Sequence, residues 1–266
     1  MRKRAFSGGW VIAVSSLVLA AAASLDRRSD PLTGMPFVLI PAGEFEMGTP
    51  LTEPQREAQE TLHRVKITRP FYLGIHEVTQ REWRAVMGNN PSNFATCGQD
   101  CPVERITFFD VQRLIAELDK RSGWPGFRLP TEAEWEYACR AGGAEAFGAS
   151  STLSTDEANY DGRYPYAGGP QGQHRSSTTP VGSFAPNRWG LFDMSGNVWE
   201  WTADDHCPYP SGTVSDPAGS CGTAVKVIRG GSWFFGADSA RCGLRYTHRP
   251  QDQGFSLGVR LAHDAK

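Results

Sequence analysis

From Gly142 onward the chain never holds an apolar period for long. Gly, Pro and Asn recur between short apolar pieces, and only "AVKVIRGGSW" and "SLGVRLA" read as strands. A half of this kind cannot build a helix bundle or a doubly wound sheet. It has to be irregular β structure, tied to a better ordered partner. The 29 Gly, 18 Pro and 8 Trp of the chain agree with a loop-rich fold anchored by aromatic side chains.

The ordered partner lies before Gly142. "FVLIPAGEFEMGT" joins an apolar run, a turn and an alternating Phe45/Met47 segment, which reads as a β-hairpin. "HRVKITRPFYLGIHEVT" alternates again and ends at Thr79, which stands at capping-box spacing from Glu82, so residues 80–88 are expected to be a short helix. "ITFFDVQRLIAELDKR" places Phe109, Val111, Leu114, Ile115 and Leu118 near one face. This predicts a helix from Phe108 to Arg121, ended by Gly123 and Pro125. In "RLPTEAEWEYACRAG", Thr131 and Glu134 make a second capping box, Trp135, Ala138 and Cys139 share a face, and Gly142 ends the helix. Helices gathered in the first half and irregular β in the second predict an α+β single domain.

The N-terminus carries an address. Arg2, Lys3 and Arg4 precede an apolar run from Trp10 to Ala23 that closes on Ala21, Ala22 and Ala23, the three parts of a secretory signal. The run is shorter than the ~20 apolar residues of a spanning helix, so cleavage and release are expected rather than a membrane anchor. The expected organisation is a signal peptide at 1–23, a linker at 24–35 and one domain at 36–266, in a periplasmic or secreted protein. Taking the three basic residues of the signal from 27 leaves 24 against 29 acidic residues, a net charge of −5. A mildly acidic chain without a basic run gives no electrostatic reason for a nucleic-acid partner or an anionic membrane surface.

Six cysteines in an oxidising compartment read as bridges, although six allow 15 pairings. Cys97 with Cys101 and Cys207 with Cys221 are the attractive local pairs. Cys139 and Cys242 are left as buried thiols or as a pair across the fold. His206 beside Cys207 is too little for a zinc site.

The motifs "FVLIPAGEFEMG", "RLPTEAEWEYACRAG", "ANYDG", "TPVGSF", "GLFDMSGNVWEWTAD", "VIRGGSW" and "LGVRLA" follow one another in an order that resembles the formylglycine-generating-enzyme, or sulfatase-modifying-factor, family. The resemblance runs from about residue 36 to residue 262. It implies a compact, irregular α+β fold related to the C-type lectin fold, with little regular secondary structure and bound calcium. In the family the "GNVWEW" loop wraps Ca²⁺. The matching ligands here are the side chains of Asp193 and Glu200 and the backbone carbonyls of Gly196 and Val198, with Trp199 and Trp201 pinning the loop to the core. Calcium takes six to eight hard oxygens, which such a loop supplies without a fixed period. A second family site matches Asn159 and the carbonyl of Tyr160. There Gln173 stands near the expected acid, and Asp161 is the nearest carboxylate to compensate.

Members that oxidise a sulfatase Cys carry two Cys after "GGS", where paired thiolates bind Cu(I). This chain reads "GGSWFFGADSARCGLR", with Phe235 at the first position and the second lost or replaced by Ala240. Cys242 aligns better with a structural position between Arg241 and Arg245, and one thiol cannot make a bis-thiolate site, so copper is not expected. Ser232, Trp233 and Arg245 are left as groove candidates for a peptide or small-molecule substrate, Arg245 facing either an anionic group or the surroundings of Glu200. His174 and His248 are acid–base candidates without a visible partner.

Three functions compete. One is maturation chemistry, oxidative or other, on a periplasmic substrate without the Cys pair; a branch of the family acts in this way on siderophore chromophores. Another is a non-catalytic lectin-like module presenting the loops at 143–176 and 205–222 to a peptide, glycan or partner protein. The third is true formylglycine generation, which needs Cys242 and Cys139 free and adjacent. An exposed aromatic patch favours binding, and a deep cleft at Ser232 and Arg245 favours chemistry.

Overall fold

Each of three helices begins at a threonine whose hydroxyl accepts the amide three residues on, while the acid at that position accepts the threonine's own amide. The pairs are Thr79 with Glu82, Thr107 with Asp110 and Thr131 with Glu134. Asp110 closes the middle box, where the sequence rule looks for Glu or Gln. The structure is a computed structural model and describes residues 25–265, so the expected signal segment lies outside the described residues.

In chain order the elements are β1 (Arg27–Ser29), β2 (Pro36–Ile40), β3 (Gly43–Met47), β4 (His63–Ile67), β5 (Phe71–Gly74), α1 (Gln80–Met87), α2 (Phe108–Arg121), β6 (Phe127–Arg128) and α3 (Glu132–Arg140). There follow β7 (Trp199–Asp205), β8 (Val214–Ser215), β9 (Lys226–Arg229), β10 (Tyr246–His248), β11 (Leu257–Gly258) and β12 (Ala262–Asp264). They form a five-stranded sheet ordered β1-β2-β5-β12-β6, a four-stranded sheet β10-β9-β7-β11 and a three-stranded sheet β3-β4-β8. The result is the expected α+β architecture.

Three expectations change. The apolar run and the alternating segment do not form a hairpin: β2 pairs with β1 and β5, whereas β3 pairs with β4 in another sheet. The short Pro41–Ala42 link hands the chain from one sheet to the other. Residues 24–35 are no linker throughout, because Arg27–Ser29 pairs with Val38, Phe37 and Pro36 as an edge strand. The stretch from Trp199 is a strand, antiparallel to β9 and parallel to β11. Its strand period is hidden in the sequence because both faces are buried, Trp199 and Trp201 on one and Glu200 and Thr202 on the other.

Two large clusters make the core. One packs α1 and α2 residues such as Trp83, Val111 and Leu114 against Trp199 and Trp201. The other packs α3, through Trp135 and Ala138, against Val38, Val65 and Leu73. The local pairs Cys97–Cys101 and Cys207–Cys221 form as expected, and Cys139 of α3 bridges to Cys242 over a separation of 103 residues. Among the described residues no cysteine is free, and no helix is long and apolar enough to cross a membrane.

Candidate functional site

The loop leading into β7 is shaped by backbone that few residues tolerate. Asp193 and Asn197 both adopt left-handed conformations, with φ of 55° and 59°. Gly196 lies so close to Asn159 that a Cβ would meet its carbonyl oxygen at 2.4 Å. The Asn197 amide donates to that same oxygen at 2.8 Å. The Asn197 side chain donates to Glu77 at 2.9 Å and accepts from the Thr179 amide at 3.0 Å, and the Val198 amide donates to the other Glu77 oxygen at 3.1 Å.

Glu77, Asp193 and Glu200 therefore form a buried acidic set, with Arg260 as their guanidinium. Both Glu200 oxygens are engaged by Arg260, and one also accepts from Trp135 Nε1 at 2.6 Å. One Asp193 oxygen accepts from the Gly182 amide at 2.7 Å. Burial, and then the charges of Asp193 and Glu200, hold the Glu77 carboxyl well above the usual carboxylate range. Three carboxyl groups share one guanidinium, so the charge left over is balanced by a proton, as the raised Glu77 carboxyl reflects, or by a hard cation. The directions of the side chains suit it less: among the described residues no three His, Cys, Asp or Glu side chains converge as metal ligands, and Glu200 is committed to Arg260. Nothing local in "GIHEVT" marks Glu77 as a residue that meets this loop 120 positions later.

At the second expected site, the Asn159 side-chain nitrogen donates to the Ser177 carbonyl at 3.0 Å and to Asn197 at 3.2 Å. Its Oδ1 is buried with no hydrogen-bond partner. Tyr160 is buried and donates its hydroxyl to Leu153. Asp161 offers little compensation for Gln173, since Arg163 grips both of its oxygens and holds its carboxyl below the usual range.

The groove candidates separate. Ser232 is buried, and Arg245 is buried elsewhere, bidentate to Glu132 at 2.7 Å and stacked over the Tyr209 ring at 3.8 Å. Burial pushes the Glu132 carboxyl up, but Arg229 and Arg245 outweigh it and hold the group ionised. Arg245 thus pairs neither with Glu200, whose partner is Arg260, nor with a ligand beside Ser232. Trp233 is the candidate that organises a surface. Phe94 and Phe255 pack on it at 5.1 and 5.6 Å, and Phe234 packs edge-on to Phe255 at 5.3 Å. Phe234, Tyr246 and Phe255 are 49%, 44% and 42% exposed. Phe235, at the first expected copper-ligand position, packs against Trp199 and Tyr246. His174 lies parallel to Trp233, and its buried Nε2 has no hydrogen-bond partner, an Asp161 oxygen held by Arg163 standing 4.0 Å away. His248 stands 3.6 Å from Asp252.

The sulfatase-modifying factor enzyme 1-like domain matches residues 23–265. The chain belongs to that family. Chaperone protein LppX of Paenibacillus barcinonensis is 32% identical over 72% of this chain and 79% of its own length. The formylglycine-generating enzyme of Streptomyces coelicolor is 38% identical over 53% of this chain and 48% of its own length, so the match spans about half of that enzyme. Among solved structures, PvdO from Pseudomonas aeruginosa has a TM-score of 0.76 at 29% identity, with 92% of this chain and 100% of PvdO covered. Within this sulfatase-modifying factor fold, the disulfide of Cys139 and Cys242 removes the two thiols that the formylglycine-generating reading of this chain needs.

Proposed function

We propose that this protein is an exported, calcium-stabilised member of the sulfatase-modifying factor family that seats a peptide or small-molecule substrate on the aromatic surface around Trp233. There it serves an oxidative or other maturation step without copper–thiolate chemistry. One observation carries the reading. The segment after Gly231 presents Phe234 with Phe255 and Tyr246 to solvent, while all six cysteines are bridged. Aromatic rings exposed together are costly to hydrate and mark a surface meant to be covered. Tyr246 on that surface and His174, parallel to Trp233, are the titratable side chains it offers to such a substrate.

Calcium in this reading is held by Asp193 and the carbonyls of Gly196 and Val198, with Glu77 adding charge to the set, while Glu200, expected as a ligand, stays with Arg260 through both of its oxygens. It supplies structural charge balance and no chemistry. The excess of buried carboxylate is what supports it. A second reading, a non-catalytic binding module for a peptide, glycan or partner protein, draws support from the burial of Ser232 and the commitment of Arg245 to Glu132.

Thiol trapping with mass spectrometry, together with Cu(I) titration, tests the absence of copper chemistry. No trapped thiol and no copper binding is the expected result. Two free thiols binding Cu(I) together would overturn it. Oxygen uptake with peptide or siderophore-precursor substrates separates maturation from binding alone.

A further inference from the structure

Strand β3 lies at an edge of the three-stranded sheet. β4 pairs with one side, and among the described residues no strand pairs with the other. Alternate residues of an edge strand turn their N–H and C=O groups outward, so β3 offers a row of backbone donors and acceptors to a chain laid alongside it. A cavity of about 420 Å³ borders this edge, lined by Glu44, Phe45 and Glu46 of β3, Tyr137 of α3, Trp189 and Leu62. That volume lies within the range of ligand-binding clefts. Phe45, Tyr137 and Trp189 form a continuous aromatic wall, with successive ring centroids 5.2 and 4.8 Å apart. Leu62 is 43% exposed at the rim.

The other face of β3 is ionic. Glu44 pairs with Arg64 at 2.8 Å and with Lys66 at 3.8 Å, and Glu46 pairs with Arg64 at 3.3 Å. These are cross-strand pairs, since Lys66 and Arg64 stand opposite Glu44 and Glu46 in the ladder. A strand added on the free side meets the same two carboxylates from the other direction. Side-chain alternation then fixes its composition: basic residues beside Glu44 and Glu46, and apolar residues between them over Phe45 and the aromatic wall. Charged edges commonly deter pairing. Here both β3 charges are negative and already accept a basic strand on one side, so they deter an acidic chain and admit a basic one.

We propose that the β3 edge is a docking site for an extended peptide segment of alternating basic and apolar residues, which adds as a further strand beside β3. The site is separate from the Trp233 surface and does not depend on the function proposed for it. Affinity comes from backbone hydrogen bonds, and selectivity from the alternating pockets.

The test is calorimetric titration of the intact mature protein with a soluble ten-residue peptide alternating Lys and Val. Controls are a scrambled peptide of the same composition and a version N-methylated at alternate amides. Saturable binding is expected, weakened at least roughly tenfold by scrambling, by N-methylation and by Glu44→Gln with Glu46→Gln. Those substitutions remove exposed ion pairs without setting like charges opposite one another, so the melting temperature should move little. No binding at about 1 mM peptide, or binding indifferent to N-methylation, overturns strand addition. Equal binding of the scrambled peptide reduces the effect to net charge and also overturns it.

Discussion

The Arg260 guanidinium pairs with the Glu200 carboxylate at 2.8 Å, with both side chains shielded from solvent. Arg260 also donates to the carbonyls of Gly74 and Phe192, at 2.9 Å each, so one side chain ties β7 to β5 and to the Asp193 loop. Replacing it leaves Glu200 buried beside Glu77 and Asp193 without its guanidinium. Arg260→Met is expected to destabilise the fold by about 3–5 kcal/mol in urea titrations near neutral pH. A loss below about 1 kcal/mol would mean that another group neutralises the cluster.

The same carboxylates make calcium removal informative. Chelation should lower the melting temperature, and saturating calcium at a hundredfold excess over its dissociation constant should restore about 2.7 kcal/mol. Asp193→Asn should shrink that difference. Metal analysis finding no calcium in the purified protein, with a melting curve unchanged by chelator, would end the calcium reading.

Asp204 gives the fold a dependence on pH. Its oxygens accept from the amides of Glu132, at the start of α3, and Gly219, in the loop closed by Cys207 and Cys221. Burial, with the Glu132 charge adding to it, pushes the carboxyl from 3.8 up to about 6. The folded state thus binds this proton more tightly than the unfolded chain. The contribution is complete below the unfolded value and is lost as pH rises toward the folded one, by up to about 3 kcal/mol. In denaturation at a series of pH values, Asp204→Asn should flatten the wild-type fall between pH 4 and 6 and run parallel to it above. Equal slopes in the two proteins would count against this account.

Loop length ranks the disulfides. Cys139–Cys242 spans 103 residues and Cys97–Cys101 spans four. Replacing the long pair by alanines should cost about 2–5 kcal/mol, and the short pair distinctly less. The order of the two unfolding midpoints checks this.

Substitutions on the aromatic surface should separate packing from binding. Trp233 is buried beneath its neighbours, so Trp233→Ala should cost about 3–5 kcal/mol of stability. Phe234 is half exposed, so Phe234→Ala should leave the melting temperature nearly unchanged while weakening any ligand held there. Loss of binding only in variants that also unfold would remove the surface from the site.

The three helices were legible in the sequence because caps and helical periods are local signals, and α2 falls at Phe108–Arg121 as its apolar face predicts. The two local disulfides were legible for the same reason. What escaped was long-range. Nothing near Pro36 says that β2 and β3 join different sheets, and nothing near Glu77 or Arg260 announces that they meet around Glu200. Arg245 illustrates the limit: an arginine near a family motif suggested a ligand contact, yet its partner Glu132 stands 113 positions away in sequence.

The order β5-β12-β6 in the largest sheet has a consequence for how this chain becomes a protein. β12 is the hinge pin between two strands made far earlier. Until it arrives, β5 and β6 each keep an unpaired edge and the sheet cannot close. A chain made from its N-terminus therefore leaves this sheet open until Ala262–Asp264 has been added, and slow closure is the expected kinetic signature of such distant pairing.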